Sequence, residues 1–170
     1  MWILVALVSH SLFSVVALAD KYIVEKAILK PTLYAFFVGM VGGGALLLIP
    51  FGVVEVPAIH QMTLALLAGA VRLFAVLALF SALKRFEVSR VVPAIGGMIP
   101  SLTLLATLMV GKGEALSSQD LLAFLLLVAG SIGVSIEKGA FATMQSLQIS
   151  FAAALLFSSH FLLSKFVYEG

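Results

Sequence analysis

Long apolar runs separated by short charged islands make up most of the chain. Six runs approach the length of a membrane-crossing helix, which needs about 20 mostly apolar residues. The runs are Trp2–Ala19, Pro31–Val54, Met62–Leu83, Val91–Gly111, Leu121–Ile136 and Gly139–Ser164. Helices satisfy their own backbone groups in lipid, whereas open strands do not. The pattern therefore predicts an all-α membrane protein, a polytopic helical bundle of about six transmembrane helices.

Composition supports a bilayer as the main partner. The chain is 62% hydrophobic and 11% charged, whereas soluble domains carry about 25% charged residues. A net charge of +2 and the lack of a basic patch interleaved with aromatics argue against nucleic-acid binding. The chain has no cysteine, which excludes disulfides and thiolate metal sites. We expect a multi-pass protein of a bacterial or archaeal cell membrane.

The first apolar run has the features of a retained helix more than those of a signal peptide. Ala17-Leu18-Ala19 imitates a small-residue cleavage site. A signal peptide normally begins with a basic region, and no basic residue precedes this run. We therefore expect the run to remain in the protein as its first helix.

A short pattern occurs in both the first and the sixth apolar runs. The pattern Ser-His-x-Leu-x-Ser stands at residues 9–14 and again at residues 159–164. A chance match in an apolar alphabet is one explanation. The other is an internal repeat of the kind from which many secondary carriers are built. In that case residues 1–137 form a first five-helix unit and residues 138–170 begin a second, which we expect to be completed outside this chain.

Two segments of the chain resemble the EamA domain of the drug/metabolite transporter superfamily. They read ALKRFEVSRVVPAIGGMIPSLTLL, from Ala82, and GEALSSQDLLAFLLLVAGSIGVS, which ends at Ser135. The similarity lies in an Ala-Leu-Lys element ending a third helix, spaced prolines in a fourth, and Gly113-Glu114 before a fifth. It covers about residues 1–137. Family members usually carry two such units in inverted orientation, so the resemblance implies half of an inverted-repeat transporter for small metabolites or drugs.

Two other functions compete with transport. The chain could be a non-transporting membrane subunit or scaffold that pairs with another chain, as a dimer or with a second half. An intramembrane enzyme is disfavoured because the sequence has no HExxH, GxSxG or P-loop motif. Its three histidines have no metal-ligand spacing. We predict no catalytic residue, no metal and no cofactor.

The fourth predicted helix holds one group of candidate pathway residues. Pro93 and Pro100 are seven residues apart and lie on nearly the same face. Each proline lacks a backbone donor and leaves a carbonyl free one turn back. Gly96, Gly97 and Ser101 accompany them. Either this is a kinked packing helix, or it is a broken helix beside the substrate path.

Arg72 interrupts the third run near its middle, where a charge costs roughly 2.5–3.5 kcal/mol on insertion scales. Its helical face holds mostly small residues, which predicts that it points into the bundle rather than toward lipid. The face consists of Ala65, Ala68, Gly69, Arg72, Ala75 and Leu79. Arg72 is a structural arginine bonded to carbonyls or to an acid from elsewhere, or it binds an anionic substrate through its planar guanidinium.

The two repeated histidines complete the candidate residues. His10 shares a helical face with Ser14 in the first run, and His160 occupies the matching position in the sixth. Histidine can donate, accept or carry a proton near neutral pH. The alternative is a buried histidine bonded to a neighbouring carbonyl or serine. The first run has no carboxylate, so the proton coupling of the small multidrug relatives is not expected here.

Overall fold

The computed structural model describes residues 2–27, 30–51, 58–110, 118–135 and 144–169, which contain six α-helices. A π-helical turn, Ile23–Ala27, extends the first helix, and a 3-10 helix, Gly44–Phe51, follows the second. The all-α fold class is confirmed for the described part of the chain. The helices are α1 (Trp2–Tyr22), α2 (Pro31–Gly43), α3 (Ile59–Arg85), α4 (Val88–Met109), α5 (Ser118–Ser135) and α6 (Met144–Glu169).

Four segments among the described residues are long and apolar enough to cross a membrane. They are Ile3–Ala27, Ile59–Arg85, Val88–Met109 and Gln145–Tyr168. The remaining two predicted spans contain shorter apolar helices, Pro31–Gly43 and Leu121–Gly130. The described residues of all six runs are thus almost entirely helical, and four of the runs have membrane-spanning length as single helices.

The helices α3 and α4 form a hairpin that opens away from its turn. Only Phe86 and Glu87 separate them. Phe86 is extended, with φ −129° and ψ 164°, so α3 ends abruptly and the chain reverses. Beyond this turn α3 and α4 touch each other little, because α6 lies between them and contacts both extensively. On the outer sides, α2 packs on α3 and α5 packs on α4.

The core lies near the α3–α4 turn, where α3, α4 and α6 converge. Leu83 and Val91 from the two sides of the turn are almost fully buried, as are Ala153 and Ala154 of α6. Farther along α6, His160 meets the carbonyl of Ala68, in the N-terminal half of α3. Hence α6 starts near the turn and runs antiparallel to α3. The buried core cluster consists of Val24, Ala35, Val76, Phe80, Ala82, Leu83, Val91, Ile95, Ala153 and Ala154.

Two consecutive polar residues fasten the end of α1 to this core. The Lys21 Nζ donates hydrogen bonds to the carbonyls of Leu83, at 2.6 Å, and Phe86, at 3.2 Å. A cation is favourable there because the last carbonyls of a helix carry partial negative charge. The Tyr34 hydroxyl of α2 donates to Asp20 Oδ1 at 2.5 Å. Asp20 and Lys21 therefore hold α1 to α2 and α3 at one end of the bundle.

We expect Lys21→Met to destabilise the folded protein by about 1–3 kcal/mol, because two hydrogen bonds from a charged donor are lost while the apolar stem is kept. The Lys21 side chain is only 21% exposed, so solvent does not replace these bonds freely. Reversible unfolding of the detergent-solubilised protein measures the change. The exposed Lys26 is the matched control, and Lys26→Met should leave stability within about 0.5 kcal/mol. Equal effects at both positions would contradict the proposed role of Lys21.

Candidate substrate pathway

The prolines of α4 do not break the helix. The helix α4 is continuous from Val88 to Met109 and contains both Pro93 and Pro100. The broken-helix interpretation is therefore wrong, because the remaining backbone bonds suffice to continue the helix past two missing donors. The Ser101 hydroxyl donates to the Gly97 carbonyl at 3.0 Å. Within this group Gly97 is buried, whereas Gly96 is exposed with open space around it.

A seam of small polar and apolar side chains runs along the inner face of α6. Ser146, Ser150, Ala154 and Ser158 follow each other at intervals of four residues, and all are buried. Such residues let helix backbones approach closely. The Thr103 hydroxyl of α4 donates to Ser158 Oγ at 3.0 Å. The sequence interpretation missed this seam, although the four-residue spacing is a visible signal of a packing face.

One hydroxyl of the seam has no hydrogen-bond partner. Ser150 is 0% exposed, and its Oγ forms no hydrogen bond with any described residue. A buried hydroxyl without a partner is unfavourable, because it has lost its water without gaining a protein bond. Ser150 is therefore tolerated for its small size, whereas Ser158 also contributes a hydrogen bond.

His160 connects α6 to α3. Its Nδ1 lies 3.1 Å from the Ala68 carbonyl oxygen. A carbonyl oxygen can only accept, so this hydrogen bond places the proton on Nδ1 and leaves Nε2 of the neutral ring as an acceptor. The carbonyl-bonded alternative from the sequence is thus confirmed for one ring nitrogen. The residue as a whole is half-buried.

Arg72 lies at the middle of α3 with an exposed side chain. Of its predicted inward face, Ala68 and Ala75 are buried, but Ala65, Gly69 and Arg72 itself are exposed. The described helices therefore cover this face only in part. At 100° per residue, Arg72 points about 40° from both Ala68 and the buried Val76. Arg72 therefore lies on the same side of α3 as the buried residues. The described helices bury this side of α3 mainly near the α3–α4 turn.

The helices α2 and α6 flank Arg72 on opposite sides. A Cβ added to Gly39 of α2 would lie 2.7 Å from Leu73 Cδ2, so the two helices approach closely next to Arg72. On the other side, α6 meets α3 at Ala68. We call the exposed surface of α3 around Arg72, between these two contacts, the Arg72 groove. No described residue forms an ion pair or hydrogen bond with the Arg72 side chain.

The histidine of α1 lies apart from this groove. His10 is exposed, and Ser14 is exposed with its hydroxyl donating to the His10 carbonyl at 2.9 Å. No described contact joins either residue to Arg72 or His160. The two copies of the Ser-His-x-Leu-x-Ser pattern therefore have different surroundings, one at the surface and one inside the bundle.

Neither a metal-binding cluster among the described residues nor a match to known proteins identifies a function for this site. Among the described residues, no group of three or more His, Cys, Asp or Glu side chains could hold a metal ion. Comparison of the chain with protein-family models, curated proteins and solved structures finds no significant match. The EamA resemblance and the transporter function that it implies therefore stay predictions.

The seam provides a matched pair of serine variants. Ser150→Ala should raise stability by about 1 kcal/mol, because it removes a buried hydroxyl that has no partner. Ser158→Ala should lower stability by about 1 kcal/mol, because it leaves Thr103 without its acceptor. Unfolding of both variants in the same detergent tests the opposite signs. A loss of stability in Ser150→Ala would show that its hydroxyl has a partner after all.

Proposed function

We propose that the chain is a multi-pass membrane protein of the EamA type that moves small metabolites or drugs across a bilayer. Four membrane-length helices support this proposal. So do the large apolar side chains exposed along α1, α2 and α5, which lipid would cover. The kind of compound that we propose is transported, small metabolites or drugs, follows from the resemblance of residues 82–135 to the EamA domain.

The observation that carries the proposal is the exposed charge of Arg72 at the middle of α3. An arginine kept only for structure would bond its guanidinium to carbonyls or an acid, since a charge inside a membrane is expensive. No such bond occurs among the described residues. An ionisable residue in this position is by default a candidate for substrate contact. The Arg72 groove is therefore the part of the pathway that this chain contributes.

Helix direction supports the two-unit arrangement that the resemblance implies. The helix α1 ends at the α3–α4 turn, where Lys21 bonds Leu83. The helix α6 begins near the same turn and runs away from it, because Ala153 lies in the core and His160 lies near Ala68. The two copies of the repeated pattern thus run in opposite directions, as corresponding helices of inverted repeats do.

Replacing Arg72 tests the proposed pathway. In cells or liposomes that contain this chain together with the second unit that the resemblance implies, assayed against a panel of metabolites and drugs, Arg72→Leu should lower transport by about 10- to 100-fold, the loss of one strong charged contact. Arg72→Lys keeps the charge but loses the planar fork, so transport should fall to an intermediate rate.

The exposed Arg85, at the end of α3 beside the turn, is the matched control. Arg85→Leu should transport at the native rate, and membrane fractionation should show all variants inserted equally. Normal transport by Arg72→Leu would make the arginine structural and remove the groove from the pathway. If the protein with both units moves no compound in the panel, the alternative is favoured, a non-transporting subunit that pairs with another chain.

A further inference from the structure

We propose that Arg72 and His160 together form a binding site for a small organic anion whose carboxylate or phosphate stands beside a hydroxyl group. The inference rests on the proposed function only in taking this anion as the transported substrate; the site itself can be tested without transport.

Arg72 follows, by one helical turn, the residue of α3 whose carbonyl is bonded by His160. In an α-helix the N–H of Arg72 bonds the carbonyl of residue 68, four positions earlier. The His160 Nδ1 lies 3.1 Å from that same Ala68 oxygen. Helical side chains lean toward the helix N-terminus and cover the preceding turn. The Arg72 side chain therefore extends along the turn to which the His160 imidazole is bonded.

The guanidinium of Arg72 selects the charge of the ligand. It has five donors and no acceptor, and it matches the two oxygens of a carboxylate or phosphate. The surroundings contain little competing negative charge: α2, α3 and α4 hold no Asp or Glu, and α6 has one only at Glu169, its last residue. An anion in the groove would therefore meet a guanidinium that no described acid neutralises.

His160 selects a second feature of the ligand. Its bond to Ala68 makes Nδ1 the donor, which leaves Nε2 as an acceptor when the ring carries one proton. A hydroxyl next to the anionic group would donate to Nε2. The site thus pairs one donor-only group with one acceptor, which is complementary to a hydroxy acid or a hydroxyalkyl phosphate.

Two matched pairs of probes isolate the two features. Lactate and propionate differ by one hydroxyl, and so do glycerol 3-phosphate and propyl phosphate. We expect at least one pair to bind the native 170-residue chain in nanodiscs, with the hydroxyl-bearing member about five- to tenfold tighter, the value of one hydrogen bond. Titration calorimetry measures each dissociation constant. Failure of all four probes to bind, or binding with no preference for the hydroxyl, overturns the proposal.

Variants assign each feature to its side chain. Arg72→Leu should abolish binding of both members of the pair, and Arg72→Gln provides a second, polar variant if the first folds poorly. His160→Asn can keep a donor to Ala68 while losing the Nε2 acceptor, so it should bind both members equally. His10→Asn changes the repeated histidine of α1, which is exposed, and should bind as the native chain does. A hydroxyl preference that survives in His160→Asn, or disappears in His10→Asn, contradicts the assignment.

The binding assay and the transport assay separate this inference from the proposed function. If the native chain moves a neutral or cationic compound but binds none of the four anions, transport stands and the anion site fails. If the anions bind by the rules above but no compound crosses the liposome membrane, the anion site stands and the transport function fails.

Discussion

Close packing of α6 between α3 and α4 determines the shape of the described structure. The helix can enter the hairpin because Ser150, Ala154 and Ser158 present little volume on the face that meets α4 and α3. In lipid the hydrophobic effect does not drive helices together, so association depends on backbone proximity and on interhelical hydrogen bonds. The seam contributes mainly by letting the helix backbones approach closely. A larger side chain at Ser150 would push the hairpin apart where all its core residues meet.

The position of α6 also explains why one end of the bundle is closed and the other is open. At the turn, Lys21 and Asp20 add α1 and α2 to the converging core, so Leu83 and Val91 are enclosed on all sides. Farther from the turn, α3 and α4 lie on either side of α6, and Arg72 is exposed. The exposed charge and the enclosed core are thus two consequences of one arrangement.

The helices could be predicted from the sequence, but which helices pack against each other could not. Runs of apolar residues between charged islands indicate where a helix starts and ends, and the two-residue link at Phe86 and Glu87 makes α3 and α4 adjacent. The place of α6 depends on surface shape, which hydropathy does not encode. Lys21 bonds a carbonyl 62 residues away, and this contact leaves no local pattern. For Arg72, the small residues around it correctly indicated the direction of the core, but they did not reveal how far the core extends.

For the anion that we propose, the energetics of the Arg72 groove favour moderate binding followed by release. Two opposite charges about 4 Å apart gain roughly 4 kcal/mol at the effective dielectric constant of a protein surface. That gain is similar to the roughly 2.5–3.5 kcal/mol that an arginine costs at the centre of a membrane helix. An anion would therefore offset the cost of Arg72, but it must also give up its own hydration on entering the groove. The net affinity is then modest. Moderate affinity suits a carrier, because a substrate held by a fully enclosed ion pair would leave too slowly on the other side.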